Sequence, residues 1–338
     1  MNREVRPADI EAALFEMWEA LAKTNKMRAC LFNLIVFHRV GTRTPYIQNI
    51  VQTLVEKFPC RVLFISEDER SSPVKTHVSV LMPQGAESNA GCEQIEISAS
   101  RKELEKVASL TRSHILPDLP ITLLWAENPA EAHLLFEPLA KLAGRIIFDS
   151  ECASNLAAFS RSVRALHESR RIDIADLNWA RIAGWRDLLA CLFATQERVE
   201  DLKQLATLDV VYNARPTESF CHLNVQSLYL EAWLKSRLKG KNAWKSTLRG
   251  EVWEKIGSGT ILKVRLTTQT NRVFECTRIK ERYHFVNIQV TSPESCELPF
   301  EFMLGKTATG QSLVKEICMK GTSNHYLAML QELEKLVS

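Results

Sequence analysis

The run Ala29-Cys-Leu-Phe-Asn-Leu-Ile-Val-Phe37 decides the fold of the first half of the chain. It is apolar almost throughout, without the alternation of a strand that has one solvated face. A continuous run of this kind is typical of a strand buried on both faces of a parallel sheet covered by helices. It is also far shorter than the ~20 residues that a membrane-spanning helix needs.

Helix-like and strand-like segments alternate around this run. Helical spacing of apolar residues predicts a helix at Ile10–Leu21 with Asp9 as its N-cap, and another at Pro45–Phe58 behind Thr44. The same patterns predict further helices and strands at Arg61–Ile65 (strand), Arg101–His114 (helix), Ile121–Trp125 (strand), Ala130–Leu142 (helix), Arg145–Phe148 (strand) and Ala153–Ser169 (helix). This alternation predicts a layered α/β sheet.

One connection breaks the alternation. The strand-like runs Thr76–Leu81 and Gln94–Ser98 have no helix between them, only the polar loop Pro83–Cys92. Such a pair is expected to be antiparallel. The first sheet is therefore predicted to be mixed but largely parallel.

The second half of the chain has a different character. Predicted helices and strands follow one another at Leu177–Leu205 (helix, possibly two), Leu208–Tyr212 (strand), Asn224–Leu238 (helix), Thr260–Thr267, Arg272–Ile279, Phe285–Val290 and Leu298–Met303 (strands) and Ser323–Val337 (helix). We therefore predict an α/β fold in which the sheet is followed by a helical segment, an antiparallel β meander and a terminal helix. The expected domains are residues 1–172 and 173–338.

Composition narrows the class of protein. Of the 338 residues 46% are hydrophobic and 25% charged, which is ordinary for a globular protein. The nine cysteines form no Cys-x-x-Cys unit, and the N-terminus lacks an apolar signal core, so a cytoplasmic protein with reduced thiols is expected. Cys152 lies near a predicted helix N-terminus, where the dipole lowers a thiol's pKa, and is the candidate reactive thiol.

The net charge of +3 is unevenly spread. Lys235–Arg282 carries 13 Lys and Arg against 4 Asp and Glu. Such a segment can attract an acidic partner or nucleic acid, or it can simply be the solvated face of a sheet. No recognisable reader motif accompanies it, so nucleic-acid binding is not favoured.

Common catalytic motifs are missing from the sequence. Neither glycine-rich phosphate motif occurs, and the 12 glycines are about half the average share. The histidines are scattered without metal-ligand spacing, so no metal or cofactor is expected. Acidic residues do follow three predicted strands, at Glu67-Asp68-Glu69, Glu127 and Asp149-Ser150-Glu151, and they either form a polar crevice at one sheet edge or lie in solvated loops.

The most unusual stretch is Asp176-Leu-Asn-Trp-Ala-Arg-Ile-Ala-Gly-Trp-Arg186. With Asp176 as N-cap, a helix would place Arg181 beside Trp185 and Trp179 beside Arg186. Trp and Arg are enriched in interface hot spots, and Arg over an indole makes a cation–π contact. The four side chains Trp179, Arg181, Trp185 and Arg186 are therefore candidates for partner binding or for organising an interface. The alternative is that both indoles belong to the core.

This stretch and two others resemble one family. Together with Gly91-Cys-Glu-Gln-Ile-Glu-Ile97 and Leu116-Pro-Asp-Leu-Pro-Ile-Thr-Leu-Leu-Trp125, it is similar to the glucose-6-phosphate dehydrogenase assembly protein family, also called OpcA, over roughly Ala29–Leu238. The resemblance implies a non-catalytic bacterial partner of glucose-6-phosphate dehydrogenase. Such a protein promotes that enzyme's assembly or allosteric activation at the entry to the oxidative pentose phosphate pathway.

The resemblance implies no catalytic residue and no cofactor. Our leading hypothesis is therefore a regulatory partner of the dehydrogenase that is not itself an enzyme. The alternative is an enzyme or sensor that binds a phosphosugar or a nucleotide at the acidic sheet edge.

Overall fold

The chain builds two β-sheets in succession. A computed structural model describes residues 2–82, 89–238, 244–305 and 310–338, so part of the predicted loop Pro83–Cys92 lies outside the described residues. Within them, the first sheet has nine strands: β1 (Asn2–Val5), β2 (Met27–Arg28), β3 (Asn33–Arg39), β4 (Arg61–Glu67), β5 (Lys75–Leu81), β6 (Ala90–Ala99), β7 (Ile121–Trp125), β8 (Arg145–Phe148) and β9 (Asp173–Asp176).

The first sheet is mixed and largely parallel, as predicted. Its order is β1-β5-β6-β4-β3-β7-β8-β9, with β2 beside β6. The six strands from β6 to β9 run parallel, while β5 and β1 are antiparallel additions at one edge. With β3 in the middle, this is the strand order of a doubly wound dinucleotide-binding sheet, whose switch point lies between β3 and β7.

Helices cover both faces of this sheet. The helices of the chain are α1 (Ile10–Ala22), α2 (Thr44–Val55), α3 (Leu104–Ser113), α4 (Phe136–Ala140), α5 (Leu156–Arg170), α6 (Leu177–Arg181), α7 (Ala183–Leu192), α8 (Gln196–Lys203), α9 (Val225–Leu238), α10 (Gln311–Cys318) and α11 (Asn324–Val337). Alternate residues of β3 enter different cores: Leu34 and Val36 pack with α2, while Ile35 and Phe37 pack with α1 and α5. Burial on both faces explains the unbroken apolar run. No helix in the described ranges is long and apolar enough to cross a membrane.

The central strand is shifted relative to the predicted Ala29–Phe37. It begins at Asn33 and continues to Arg39. The buried Asn33 side chain accepts a hydrogen bond from Leu116 N at 2.8 Å and donates one to Leu116 O at 3.0 Å. These bonds satisfy a polar side chain inside an apolar run and tie the start of β3 to the segment before β7.

The predicted helix Ala130–Leu142 is wrong over most of its length, since α4 covers only Phe136–Ala140. His133 explains the difference. One of its ring nitrogens lies 2.9 Å from Glu67 Oε2, and the other lies 3.2 Å from Leu135 N. Bonds from a side chain to the sheet and to the local backbone compete with the helical pattern in this stretch.

The region predicted as one or two helices at Leu177–Leu205 contains three, α6, α7 and α8. The backbone breaks at Ile182, where φ is −83° and ψ is 1°, and Leu205 already belongs to the next strand. Strands β1, β2, β9 and β11 and helix α10 were not predicted from the sequence. Strand β9 follows residue 172 yet pairs with β8 of the first sheet.

The second sheet has the order β11-β10-β12-β13-β14-β15. Its strands are β10 (Leu205–Asn213), β11 (Lys245–Glu251), β12 (Ile261–Thr268), β13 (Val273–Arg278), β14 (Phe285–Thr291) and β15 (Phe300–Met303). Strands β12 to β15 form the predicted antiparallel meander, whereas β10 and β11 are parallel. One face packs on α7 and α9, and the other carries polar side chains such as Lys263, Arg265 and Glu275. Helix α11 closes the fold, with Ser323 as its N-cap.

Candidate functional site

The acidic strand ends of the first sheet do converge. Arg39, at the end of β3, donates its backbone N–H to Glu127 Oε1 at 2.9 Å. Its guanidinium lies 3.4 Å from both Glu67 Oε2 and Glu131 Oε2. The edge at which a doubly wound sheet usually binds ligands is therefore lined by ion pairs of the chain itself.

A second arginine carries this network toward the other half of the chain. Arg43, in the turn after β3, lies 2.6 Å from Asp149 Oδ2, and Asp149 is fully buried. Arg43 also donates to Ser219 O at 2.7 Å and Ala126 O at 3.0 Å. The central strand is thus followed by Arg43, which contacts three segments of the chain, and not by a glycine-rich turn.

Asp176 caps the Trp/Arg stretch as predicted. Its Oδ1 accepts hydrogen bonds from Asn178 N at 2.7 Å and Trp179 N at 3.1 Å. The carboxylate also accepts from the backbone and hydroxyl of Ser150. Burial and the nearby Asp149 raise the pKa of Asp176 to about 7, even though these hydrogen bonds favour its charged form.

Both indoles of the stretch are in the core: Trp179 is 5% exposed and Trp185 is 2% exposed. Arg186 lies over the Trp179 ring as its spacing predicts, with Cζ 3.2 Å from the ring centroid. The predicted partnership of Arg181 with Trp185 is replaced by another, because Arg278 of β13 lies over the Trp185 ring at 5.7 Å.

Arg181 points back to the first half of the chain. Its Nη1 lies 2.7 Å from Glu151 Oε1, and its Nη2 donates to the Tyr46 hydroxyl. Burial raises the pKa of Glu151 to about 7 despite this ion pair, because the carboxylate loses its hydration. The four candidate side chains thus lie where the two halves of the chain meet. The two indoles are covered there by other parts of the protein.

Gly184 allows the backbone of Leu304 to pack closely against this part of the chain. A Cβ at Gly184 would lie 2.6 Å from the carbonyl oxygen of Leu304, so the missing side chain permits a close backbone approach. The segment Asp176–Arg186, hereafter the joint segment, therefore contacts α2, α11, β13 and the chain after β15.

Cys152 lies in a 3-10 turn, and helix α5 begins only at Leu156. Burial raises the pKa of the Cys152 thiol well above its usual value, which opposes the dipole effect expected from the sequence. Cysteines with exposed side chains occur elsewhere, at Cys191, Cys221, Cys296 and Cys318. Within the described ranges, no three His, Cys, Asp or Glu side chains form a group that could hold a metal ion.

A cavity of about 280 Å³ lies between the joint segment and the second sheet. Its walls include Glu151 from the first half of the chain and Arg181, Arg278 and Lys315 from the second. Sequence reasoning singled out Glu151 as part of an acidic strand end and Arg181 as part of the Trp/Arg stretch, but it missed Arg278 and Lys315. The sequence offered one signal for each residue. Arg278 is an arginine on a strand of otherwise alternating polarity, and Lys315 is a lysine in a helix that was not predicted.

The basic segment Lys235–Arg282 falls largely on the second sheet. Lys263 Nζ lies 2.8 Å from Glu275 Oε1 on the neighbouring strand, and Arg265 lies 4.0 Å from the same carboxylate. Part of the positive charge is thus neutralised within the open sheet face. Residues 239–243 of this segment lie outside the described residues.

A doubly wound sheet followed by a second sheet defines an α/β protein of dinucleotide-binding architecture. Two models of one family match this chain: the glucose-6-phosphate dehydrogenase subunit N-terminal domain over residues 51–165, and the corresponding C-terminal domain over residues 172–330. The chain belongs to the glucose-6-phosphate dehydrogenase assembly family, OpcA. The match to residue 330 extends past Leu238, where the resemblance read from the sequence ended.

Curated relatives agree with this family. Proteins named as OxPP cycle protein OpcA from Synechococcus elongatus and Nostoc punctiforme are each 28% identical, over 201 and 202 residues. The matches cover 58% and 56% of this chain but only 42% and 40% of those proteins. The chain thus spans about two fifths of the length of the curated relatives it matches.

The fold is similar to that of one solved structure, and a second has a lower TM-score. A Gal80p super-repressor mutant from Saccharomyces cerevisiae has a TM-score of 0.51 and 11% identity, and the match covers 91% of this chain and 95% of that one. The yvaA structure from Bacillus subtilis, described as an oxidoreductase, has a TM-score of 0.48 and 8% identity, with 90% and 95% covered. At such low identity the Gal80p likeness shows the fold alone.

Proposed function

We propose that this chain binds glucose-6-phosphate dehydrogenase and acts as its assembly factor and activator without catalysing a reaction itself. The observation that carries the proposal is membership of the assembly family over residues 51–330 in two matched domains. The crevice at the switch point supports a regulatory role, because ion pairs of Arg39 with the chain's own carboxylates line the edge where a cofactor would bind.

The joint segment supports an interface-organising role for its four side chains. Trp179 packs near Tyr326 of α11, with ring centroids 5.6 Å apart, and Trp185 lies beneath Arg278 of β13. Arg181 reaches Glu151 and Tyr46 of the first half. These contacts fix how the two sheets face one another, and so shape any surface that both sheets share.

Activation requires differential affinity. A partner shifts an enzyme between conformations only when it binds one of them better. We therefore propose that this chain binds the assembled, active form of the dehydrogenase more tightly than the inactive form.

The experiment is co-elution of the purified chain with glucose-6-phosphate dehydrogenase, followed by dehydrogenase kinetics with and without the chain. We expect a shared peak of higher mass and a lower apparent KM or higher kcat. No complex and no kinetic change at about 10 μM of each protein would refute the proposal.

Variants distinguish side chains that organise the interface from side chains that contact the dehydrogenase directly. Arg181→Gln breaks the ion pair with Glu151 and is expected to weaken the complex while the chain stays folded. Trp185→Phe keeps an aromatic ring under Arg278 and is expected to leave the complex intact. Arg249→Gln, at an exposed position of β11, is the matched control for loss of a charge.

A further inference from the structure

The cavity beside the joint segment is rich in positive charge. Among the described residues, four cationic side chains line it (Arg181, Arg215, Arg278 and Lys315), against the single carboxylate of Glu151. Arg181 is paired with Glu151. In the described part of the chain, the other three have no carboxylate within 4.0 Å. The cavity is therefore suited to an anion.

Arg278 is the strongest element of this wall because it is only 3% exposed. Its Nε donates to Ile261 O at 3.0 Å and its Nη1 donates to Tyr283 O, which hold the guanidinium in place. Burial lowers the pKa of Arg278 to about 10, yet the group remains charged near neutral pH. A buried, positioned guanidinium without a carboxylate partner is a preorganised half of an ion pair.

Two other buried side chains of the same wall carry unsatisfied polar atoms. Glu151 Oε2 and Trp185 Nε1 have no hydrogen-bond partner among the described residues, although Glu151 is 1% and Trp185 is 2% exposed. Buried polar atoms are normally paired, so each such atom calls for an explanation. A ligand with hydroxyl groups would supply an acceptor for the indole and a partner for the carboxyl oxygen.

Helix α10 adds a third feature. Gly310 and the first residues of this helix, Gln311 and Ser312, line the cavity. The cap residue Gly310 offers no side-chain hydrogen bond to the first N–H groups of the helix. A helix N-terminus favours negative charge, and Lys315 lies one turn further along.

We propose that this cavity binds a small phosphate monoester of a polyol, such as a sugar phosphate. Arg278, Lys315 and the start of α10 take the phosphate, and Glu151 takes hydroxyl groups. Three unpaired cations suit a dianion better than a monocarboxylate, and Arg pairs well with phosphate. A volume of about 280 Å³ is near the lower end of ligand pockets, which fits a metabolite of this size.

The test is isothermal titration of the full chain, without the dehydrogenase, so that it succeeds or fails independently of the proposed partner. The probes are ribose 5-phosphate, inorganic phosphate, ribose and the carboxylate glycerate, all at matched ionic strength. We expect ribose 5-phosphate to bind with a Kd below about 1 mM, inorganic phosphate more weakly, and ribose and glycerate not measurably. Equal binding of ribose or glycerate, or no binding of ribose 5-phosphate, would overturn the proposal.

Variants locate the site. Arg278→Gln is expected to weaken ribose 5-phosphate at least tenfold. Lys315→Gln, at an exposed side chain whose loss leaves the core intact, is expected to weaken it several-fold. Lys320→Gln is the matched control, because Lys320 is also exposed but lies outside the cavity wall. If Arg278→Gln does not fold, the test is the comparison of Lys315→Gln with Lys320→Gln. Equal affinity of these two variants for ribose 5-phosphate would show that the ligand binds elsewhere.

Discussion

The guanidinium of Arg186 lies over the indole of Trp179, with 3.2 Å between Arg186 Cζ and the ring centroid. Arg186 Nη2 also donates to Trp179 O at 3.3 Å, while its Nε has no partner among the described residues. Burial lowers the pKa of Arg186 to about 10. The contact therefore combines a favourable packing of planar groups with an incompletely paired charge.

This combination predicts different costs for two variants of Arg186. Arg186→Ala removes the group that covers the ring and is expected to lower the free energy of unfolding by about 2 kcal/mol. Arg186→Met keeps a long side chain over the ring and removes the buried charge, so its effect is expected to stay within about 1 kcal/mol. Urea denaturation measures both, with Arg249→Ala as a surface control. If Met costs as much as Ala, the charge on the ring is the dominant interaction.

Gly184→Ala is expected to destabilise the chain by about 1–3 kcal/mol, although alanine is the better helix former. The new Cβ would lie 2.6 Å from the Leu304 carbonyl oxygen, and a backbone atom cannot swing aside as a side chain can. Gly144→Ala is the matched control, because a Cβ at this position would lie 3.9 Å from Ile121 O, an ordinary van der Waals distance. Thermal unfolding compares Gly184→Ala with Gly144→Ala. Equal melting temperatures would show that the backbone at Leu304 shifts at little cost to make room for the new Cβ.

The raised pKa of Glu151 predicts a pH-dependent contribution to stability. Between pH 4.5, the ordinary pKa, and about pH 7, the unfolded chain releases this proton while the folded chain keeps it. The contribution of Glu151 is thus present below pH 4.5 and declines by about 3 kcal/mol by pH 7. Glu151→Gln does not titrate, so the free energy of unfolding of the wild type should fall relative to this variant across that window.

Denaturant unfolding of both proteins from pH 4.5 to 8 measures this difference. The charged groups that act on Glu151 are Arg181, Asp149 and Arg43. A constant difference between the two proteins would mean that Arg181 holds the carboxylate ionised.

Cys152 is expected to react slowly with iodoacetamide at pH 8. Its side chain is half-buried, and the raised pKa of the thiol leaves little thiolate, which is the nucleophilic form. The exposed Cys191 and Cys318 are internal controls in the same sample. Peptide mapping by mass spectrometry gives the individual rates, and labelling of Cys152 ahead of both controls would restore it as the reactive thiol.

Buried strands were the most predictable part of the fold. The runs Ile121–Trp125 and Arg145–Phe148 have the same bounds in the sequence reading and in the structure, because strands covered on both faces are uniformly apolar. Strand β11 was missed for the opposite reason. All residues of β11 except the half-buried Leu248 are exposed, so its sequence carries no burial pattern.

The site was less predictable than the fold. The contact of Arg186 with Trp179 follows from a spacing of seven residues within a helical stretch. The contact of Trp185 with Arg278 joins helix α7 to strand β13, which are far apart in the sequence, and no local pattern contains it. The cavity has the same origin, since its charged side chains come from five separate parts of the chain that only the tertiary fold brings together.

The burial of the joint segment has a consequence for protein engineering. Its unusual residues are restrained by packing from several sides, so the fold itself accounts for them and they say little about which molecule is bound. A redesign of the surface would therefore leave Asp176–Arg186 untouched and alter more accessible positions such as Lys263 and Arg265 on the second sheet. The two indoles would have to be retained in any such redesign, because both are part of the core.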